Sequence, residues 1–276
     1  MSVYDVNDNN IITGYYGTSD GHQHAYFGPW TGPYTTFDFG DTYTQARGIN
    51  DAGYITGVAD IAGKRTQFER FPDGHIRAVT KDGQPITFEY LQGINSKGIF
   101  VGNYRDENNR QKAYYGKKAE YLKDFTLPNG FPSQPRGIND GGEVVGNAQY
   151  NGFILAGDTL TLVSPITPTQ AFTSFGGIDG AGDLVSGYWL DVNFAHYHAV
   201  LFDTQNKVFL PINIPGSTEA SALGMNAAGL VAVNSDVGDF IYCPYAQDSG
   251  KCPANGIEIS APSPMHAGVR KLRIRQ

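Results

Sequence analysis

The sequence predicts an all-β fold, a six-bladed β-propeller built from four-stranded antiparallel blades. A Gly-Ile-Asn-x-x-Gly motif starts at positions 5, 48, 93, 137, 177 and 224, and these intervals match the length of propeller blades. The 35 glycines, 17 tyrosines and 16 phenylalanines favour turns and pleated strands. No segment shows a helical period longer than one or two turns.

Each copy of the motif marks one repeat unit. The clearest copy occupies residues 48–53, and Asp5-Val6-Asn7 is a degenerate first copy. Tight turns between strands favour an Asx residue followed by Gly, so Asn50 and its equivalents are interpreted as turn residues rather than as ligands. The predicted units of a single domain, 1–276, are residues 4–47, 48–92, 93–136, 137–176, 177–223 and 224–264.

Each unit divides into four strands. The motif strand turns into a second strand such as 54–58, and a third strand such as 24–27 follows a polar loop. Fourth strands are predicted at residues 34–39, 121–127, 159–163, 208–214 and 256–260. Because a lone sheet leaves both faces in water, we expect the ring to close; an open solenoid is the alternative. Residues 265–276 form a closing strand or tail, with 269–275 expected beside the amino-terminal strand.

The repeats resemble those of the HAF-repeat proteins, a loosely defined group of bacterial, usually exported proteins. Their unit joins Gly-Ile-Asn-x-x-Gly to a His-Ala-Phe element, which survives here as His24-Ala25-Tyr26 and His198-Ala199-Val200. Units two, four and six replace it. The resemblance covers nearly the whole chain and implies the propeller fold and export, but it implies no catalytic chemistry.

Composition restricts the partners. A net charge of -7 without a clustered basic face argues against nucleic acid, and the basic residues of 270–275 are interpreted as a solvated terminal strand. No apolar run reaches the length of a membrane span, and residues 1–4 lack the basic and apolar regions of a signal peptide. We therefore expect a monomer without a membrane span, whose export signal was removed or never existed.

The only two cysteines, Cys243 and Cys252, flank a segment rich in turn residues. A disulfide across that loop fits better than a metal site, because no further Cys or nearby His supplies ligands. This pairing predicts an extracellular or periplasmic location.

The residue before each Gly-Ile-Asn differs between blades. It is Arg47, Gln92 and Arg136 in units two to four, and a propeller brings equivalent positions together around its axis. Two arginines there would favour a carboxylate or a sugar acid through forked hydrogen bonds. Structural hydrogen bonds to the next blade are the alternative interpretation.

Aromatic and histidine side chains give two more candidate sites. Trp30 and Trp189 are predicted to stack on a carbohydrate. His22 with His24, and His196 with His198, are spaced to share one face of a strand and hold a divalent metal; hydrogen-bonded or solvated histidines are the alternative. No other cofactor is predicted.

Standard catalytic motifs are absent from the sequence, including Gly-x-Ser-x-Gly, the phosphate loop and His-Glu-x-x-His. The sequence thus favours an extracellular binding module that recognises a carbohydrate or another polar small molecule at one face of the channel. A hydrolase, lyase or isomerase at the channel mouth is the second hypothesis, and a structural or assembly protein is the third.

Overall fold

The computed structural model describes residues 1–87, 90–117, 121–164 and 170–245, together with the backbone of strands 257–259 and 267–272. These residues form strands, turns and loops and contain no helix, so they also contain none able to cross a membrane. The strands form six antiparallel blades in sequence order, each starting with its innermost strand. The predicted six-bladed propeller is confirmed.

The first three blades share the order of four consecutive strands. They comprise β1 (Ser2–Val6), β2 (Ile11–Gly17), β3 (Gln23–Pro29) and β4 (Thr35–Phe37); β5 (Thr44–Ile49), β6 (Ile55–Ile61), β7 (Lys64–Arg70) and β8 (Ile76–Ala78); and β11 (Leu91–Ile94), β12 (Ile99–Arg105), β13 (Gln111–Lys117) and β14 (Leu122–Phe125). A short hairpin that the sequence did not predict, β9 (Thr80–Lys81) with β10 (Gln84–Pro85), lies between the second and third blades.

The last three blades continue this order. They comprise β15 (Ser133–Ile138), β16 (Val144–Ala148), β17 (Asn151–Ala156) and β18 (Thr159–Val163); β19 (Gln170–Ile178), β20 (Leu184–Asp191), β21 (Tyr197–Asp203) and β22 (Val208–Pro211); and β23 (Ala220–Met225), β24 (Val231–Ser235), β25 (Gly238–Cys243), β26 (Ile257–Ile259) and β27 (Ala267–Leu272).

Glycine lets the inner strands approach one another. A Cβ atom on Gly48 would lie 2.0 Å from the Gln92 carbonyl oxygen of the next blade, so a larger residue there would push two blades apart. Apolar side chains from facing sheets fill the space between blades, as Val3, Ile12 and Ile241 do between the first and sixth. Burying these side chains supplies most of the driving force for stacking the blades.

The ring closes through contacts between the first and sixth blades. Val3 N donates a 3.0 Å hydrogen bond to Asn234 Oδ1, and Asn226 Nδ2 donates a 3.2 Å bond to the Asn7 carbonyl oxygen. The chain therefore forms a closed ring rather than an open solenoid.

The carboxyl-terminal strand differs from its prediction. Strand β27 pairs with β25 and takes the fourth place in the sixth blade, while β26 lies outside it as a fifth strand. Among the described strands, β27 pairs with β25 and β26 rather than with β1, whose partner is β2, and side-chain contacts close the ring between the first and sixth blades. The buried Cys243 ends β25, but Cys252 lies outside the described residues, so the disulfide stays a prediction.

Candidate functional site

The antiparallel order of the strands gives the propeller two distinct faces. Inner strands begin at one face, which also carries the hairpins between second and third strands and the connections between blades. We call it the arginine face, after Arg47 and Arg136. The inner strands end at the other face in the Asn turns, and we call that one the asparagine face.

A ring of amide hydrogen bonds joins the blades at the asparagine face. In five blades the Asn side-chain nitrogen donates to the carbonyl oxygen of the equivalent Asx residue in the next blade, at 3.0–3.2 Å; the donors are Asn7, Asn50, Asn95, Asn139 and Asn226. The side-chain oxygen accepts a backbone N–H within its own turn, as Asn50 Oδ1 does from Tyr54. Each Asn thus shapes one turn and holds two blades together, and the interpretation as structural residues is supported.

Carboxylates at the asparagine face have similar structural partners. Asp51 Oδ1 accepts the Asp8 N–H at 2.8 Å, and Asp140 Oδ1 accepts the Ser96 N–H at 2.9 Å. Among the described residues no group of three or more His, Cys, Asp or Glu side chains is arranged to hold a metal ion. The acidic character of this face is therefore explained by links between neighbouring turns.

The middle of the channel is closed by side chains. Ile94, Ile138, Ile178 and Met225 border the cavities on both sides, together with the carboxylate of Asp5. Asp5 takes the place that glycine has in the other five blades, and its oxygens accept the N–H groups of Val6 at 2.9 Å and Ile49 at 3.0 Å.

Burial raises the pKa of Asp5 to about 7, because desolvation of the ionised carboxylate outweighs these two backbone hydrogen bonds. Sequence reasoning missed Asp5. The available signal was its departure from the glycine pattern in the first repeat.

Above this closure, the three predicted polar residues meet around one cavity at the arginine face. We call it the arginine mouth; its lining includes Tyr4, Arg47, Gln92, Arg136 and Tyr188. Blades two to four supply the cations and the amide, whereas Gly176 and Leu223 complete the opposite side. The expected convergence is present, and ligand binding by these residues stays a prediction.

Arg47 is held firmly at this mouth. Its guanidinium lies 5.0 Å from the ring centre of Tyr4 and 4.6 Å from that of Tyr90, and Nη2 donates a 2.7 Å hydrogen bond to Gln45 Oε1. Only 8% of Arg47 is exposed, and its Nε has no hydrogen-bond partner in the described part of the chain. An unpaired donor that is shielded in this way adds to the free-energy cost of burying the guanidinium.

Arg136 and Tyr4 complete the electrostatics. Arg136 Nε donates to Asn147 Oδ1 at 3.2 Å, and its guanidinium lies 6.0 Å from the Tyr90 ring centre. No carboxylate among the described residues forms a salt bridge with Arg47 or Arg136. Burial raises the pKa of Tyr4, although the charge of Arg47 opposes this shift, so the phenol remains neutral in a cationic cavity.

The arginine mouth is small. Its free space is about 40 Å³, room for roughly three water molecules. A sugar ring does not fit inside, but a carboxylate group does.

A larger groove lies on the same face, where the fifth blade meets the connection to the sixth. We call it the lateral groove; its lining includes Trp189, Tyr197, His198, Asn213 and Glu219, and its volume of about 310 Å³ is in the range of small-molecule sites. The rings of Trp189 and His198 stack at 3.8 Å. Trp189 is therefore where a ligand can reach it, beside the mouth rather than in it.

Trp30 corrects the prediction of an accessible aromatic. It lies in the connection between β3 and β4, at the asparagine face, and packs against Val3 and Ile241 with 8% of its surface exposed. In the sequence, its position next to Pro29 indicated a loop. In the structure, its large apolar side chain fills the cleft between the first and sixth blades.

The histidine pairs have other partners. His24 Nδ1 lies 3.0 Å from both carboxylate oxygens of Asp38, and the rings of His22 and His24 are 6.3 Å apart between centres. His196 Nδ1 lies 3.3 Å from Glu219 Oε1, and His198 stacks on Trp189. The geometry gives no support to the metal prediction, and the alternative of hydrogen-bonded side chains describes it.

Comparison with known proteins identifies the fold. No protein-family model matches the sequence, and no curated protein matches it either. TolB from Acinetobacter baumannii aligns with a TM-score of 0.57 and 14% identity over 77% of this chain and 54% of that chain. A prolyl endopeptidase structure aligns with a TM-score of 0.50 and 13% identity over 97% of this chain and 44% of that chain.

A third similar structure is virginiamycin B lyase from Staphylococcus aureus, with a TM-score of 0.43 and 10% identity over 85% of this chain and 95% of that chain. The present chain spans about half the length of the TolB and prolyl endopeptidase chains. At identities of 13–14%, the alignments with TolB and the prolyl endopeptidase establish the propeller fold alone.

Proposed function

We propose that this protein is a non-catalytic binding propeller that recognises an acidic carbohydrate at its arginine face. The observation that carries the proposal is Arg47, a buried guanidinium that borders a cavity and has no carboxylate partner among the described residues. A buried cation without a counter-ion is costly, and the rings of Tyr4 and Tyr90 offset only part of that cost. A carboxylate in the mouth would offset more through charge-assisted hydrogen bonds.

The exposed aromatics favour a sugar as the rest of the ligand. Most exposed aromatic side chains of the described residues lie at the arginine face: Tyr90, Phe131, Tyr150, Phe194 and Tyr197. Because the mouth admits only a small group, the ring that bears the carboxylate would rest outside it, against such side chains. This combination of a buried cation and a rim of aromatic rings supports a uronic acid.

Calorimetric titration at low ionic strength tests the proposal. We expect glucuronate or galacturonate to bind, glucose and galactose to bind at least tenfold more weakly, and the acid affinity to fall with added salt. Equal binding of neutral and acidic sugars, or no binding of either acid up to millimolar concentrations, would reject it. Consumption of a sugar during the titration would favour the enzyme hypothesis instead.

Arg136 offers the sharpest variant, because it is less buried than Arg47 and its loss disturbs the core less. Arg136→Gln removes a charged donor, so we expect the affinity for the acid to fall about 10- to 100-fold. The matched control is Arg110→Gln. Arg110 lies between β12 and β13 at the same face but outside the mouth, and its Nε already donates to Asp106 Oδ2 at 3.0 Å, so its removal should leave the affinity unchanged.

Export is part of the same proposal. It is supported by the resemblance to HAF-repeat proteins and by the two cysteines at 243 and 252. Peptide mass spectrometry without reduction, on protein purified from its native compartment, is expected to yield the two cysteine peptides linked. Fully alkylated cysteines would argue for a reducing compartment.

A further inference from the structure

The lateral groove and the arginine mouth are parts of one surface. Tyr188 lines the mouth, Tyr197 lines the groove, and their rings meet edge to face at 5.3 Å between centres. Tyr197 is 39% exposed, so this aromatic pair is open to solvent between the two cavities. A molecule seated at the mouth can extend over these rings into the groove without leaving the protein.

The groove is built for a ring. Its volume of about 310 Å³ contrasts with about 40 Å³ at the mouth. Trp189 and His198, whose rings stack with an interplanar angle of 17°, line the groove together with the exposed Tyr197. Polar residues also line the groove: Asn213 with its amide, and Ser217 and Thr218 with their hydroxyls. Aromatic faces together with such hydrogen-bonding groups match the apolar and hydroxyl-bearing sides of a pyranose.

The polar wall is fixed before any ligand arrives. Asp236 accepts hydrogen bonds from Ser217 Oγ at 2.5 Å and from Thr218 Oγ1 at 2.7 Å, and it also accepts the backbone N–H groups of Thr218 and Glu219. This clamp orders residues 217–219, so the groups that face a ligand lose little conformational freedom on binding.

The charges of the two cavities are opposite. The mouth carries Arg47 and Arg136, whereas the groove carries Glu219, whose Oε1 lies 3.3 Å from His196 Nδ1. A carboxylate is therefore favoured at the mouth and disfavoured beside Glu219. The surface selects a ligand with an acidic end and an uncharged ring next to it.

We infer that the lateral groove is a second subsite that takes a neutral sugar ring linked to the uronic acid held at the mouth. This inference rests on the proposed function, since it assigns the acid to the mouth. The ligand class is an oligosaccharide in which a uronate adjoins a neutral hexose or N-acetylhexosamine, and a chain of uronates alone fits less well.

Calorimetry with three probes tests the inference: glucuronate, a glucuronate–N-acetylglucosamine disaccharide, and trigalacturonate. The parent protein should bind the disaccharide at least tenfold more tightly than glucuronate. Trp189→Ala should abolish that gain and leave glucuronate binding unchanged, because Trp189 lies in the groove and not at the mouth. Tyr121→Ala is the matched control; it removes an exposed aromatic from the connection between β13 and β14 at the asparagine face, outside both cavities, and should preserve the gain.

Two further variants keep the test decisive if Trp189→Ala fails to fold. His198→Ala removes the ring stacked on Trp189 and should also reduce the gain. Glu219→Gln removes the groove charge and should raise the affinity for trigalacturonate severalfold, with glucuronate unaffected. A disaccharide that binds no more tightly than glucuronate, or a gain that survives His198→Ala and Trp189→Ala, overturns the inference and leaves the proposed function standing. Absence of glucuronate binding itself overturns both.

Discussion

The asparagine ring and the arginine mouth lie three residues apart on the same inner strands, but only the ring repeats from blade to blade. At the ring position the six blades place five asparagines and one aspartate in equivalent geometry. At the mouth position they place six residues of five types: Tyr4, Arg47, Gln92, Arg136, Gly176 and Leu223.

The difference separates the scaffold from the site. Every blade must turn and join its neighbour, so all blades but the fifth use asparagine for that purpose, and the fifth uses Asp179. A ligand is bound once, and the side chains that would contact it have no reason to repeat around the axis. The two arginines at the mouth accordingly come from blades two and four alone, and the lateral groove lies at blade five.

Asp5 gives the strongest way to test this distinction, because it departs from the repeat inside the scaffold. Its pKa is raised from 3.8 to about 7, so the folded protein holds a proton there that the unfolded chain has released. The free energy of unfolding should therefore fall as pH rises from about 4 to 7, by roughly 4 kcal/mol from this group. Urea denaturation at pH 4 and pH 7.5 measures it.

Asp5→Asn should flatten that dependence. It should not remove it entirely, since burial also raises the pKa of Asp239 to about 7 and this group contributes in the same direction. If Asp5→Asn keeps the full slope of the parent, Asp5 is ionised at neutral pH and its place near the axis has another explanation.

Asn95 tests the regular ring. Asn95→Ala loses the 3.0 Å donor bond to the Asn139 carbonyl and the 2.9 Å acceptor bond from Ile99 N–H, and it leaves both partners with one bond fewer. We expect a loss of about 3 kcal/mol in unfolding free energy, measured by urea denaturation. Asn95→Asp keeps the acceptor and should lose less. An Asn95→Ala protein as stable as the parent would show that the ring does not stabilise the propeller.

The sequence was sufficient for the architecture because its signal was repeated. The motif predicted the number of blades, the Asn turns and the closed ring, since each copy imposes the same backbone geometry. It did not predict the β9–β10 hairpin or the pairing of β27 with β25. Each of these features occurs once, so no repeated motif marks it in the sequence. The inter-blade role of the Asn amide also required the structure, because a turn alone needs only the side-chain oxygen.

The site was predicted in part for the same reason. Equivalence around the axis brought Arg47, Gln92 and Arg136 together, but no sequence pattern distinguishes a loop tryptophan that fills a cleft, such as Trp30, from one that borders a groove, such as Trp189. Burial between two blades distant in sequence decides that. The lateral groove likewise depends on packing between β20, β21 and the connection 211–220.

The smallest expected effect concerns the one irregular member of the ring. Asp179 has no amide nitrogen, so the fifth blade donates no side-chain bond to the Asn226 carbonyl, and Gly180 N–H bonds to the Ala227 carbonyl oxygen at 3.1 Å instead. Burial raises the pKa of Asp179, which reflects the cost of its charge. Its Oδ1 accepts the Asp183 and Leu184 N–H groups, as an asparagine oxygen also can.

Asp179→Asn should therefore complete the ring and increase the free energy of unfolding by about 1 kcal/mol. Thermal unfolding should shift upward by a few degrees, as expected for a domain of this size. The matched control is Asp183→Asn, which removes a neighbouring carboxylate without adding a donor to the ring. If the two variants are equally stable, the gain comes from relief of charge and the sixth amide bond contributes nothing; if only Asp179→Asn is stabilised, the junction between blades five and six is the weakest in the ring because one nitrogen is missing.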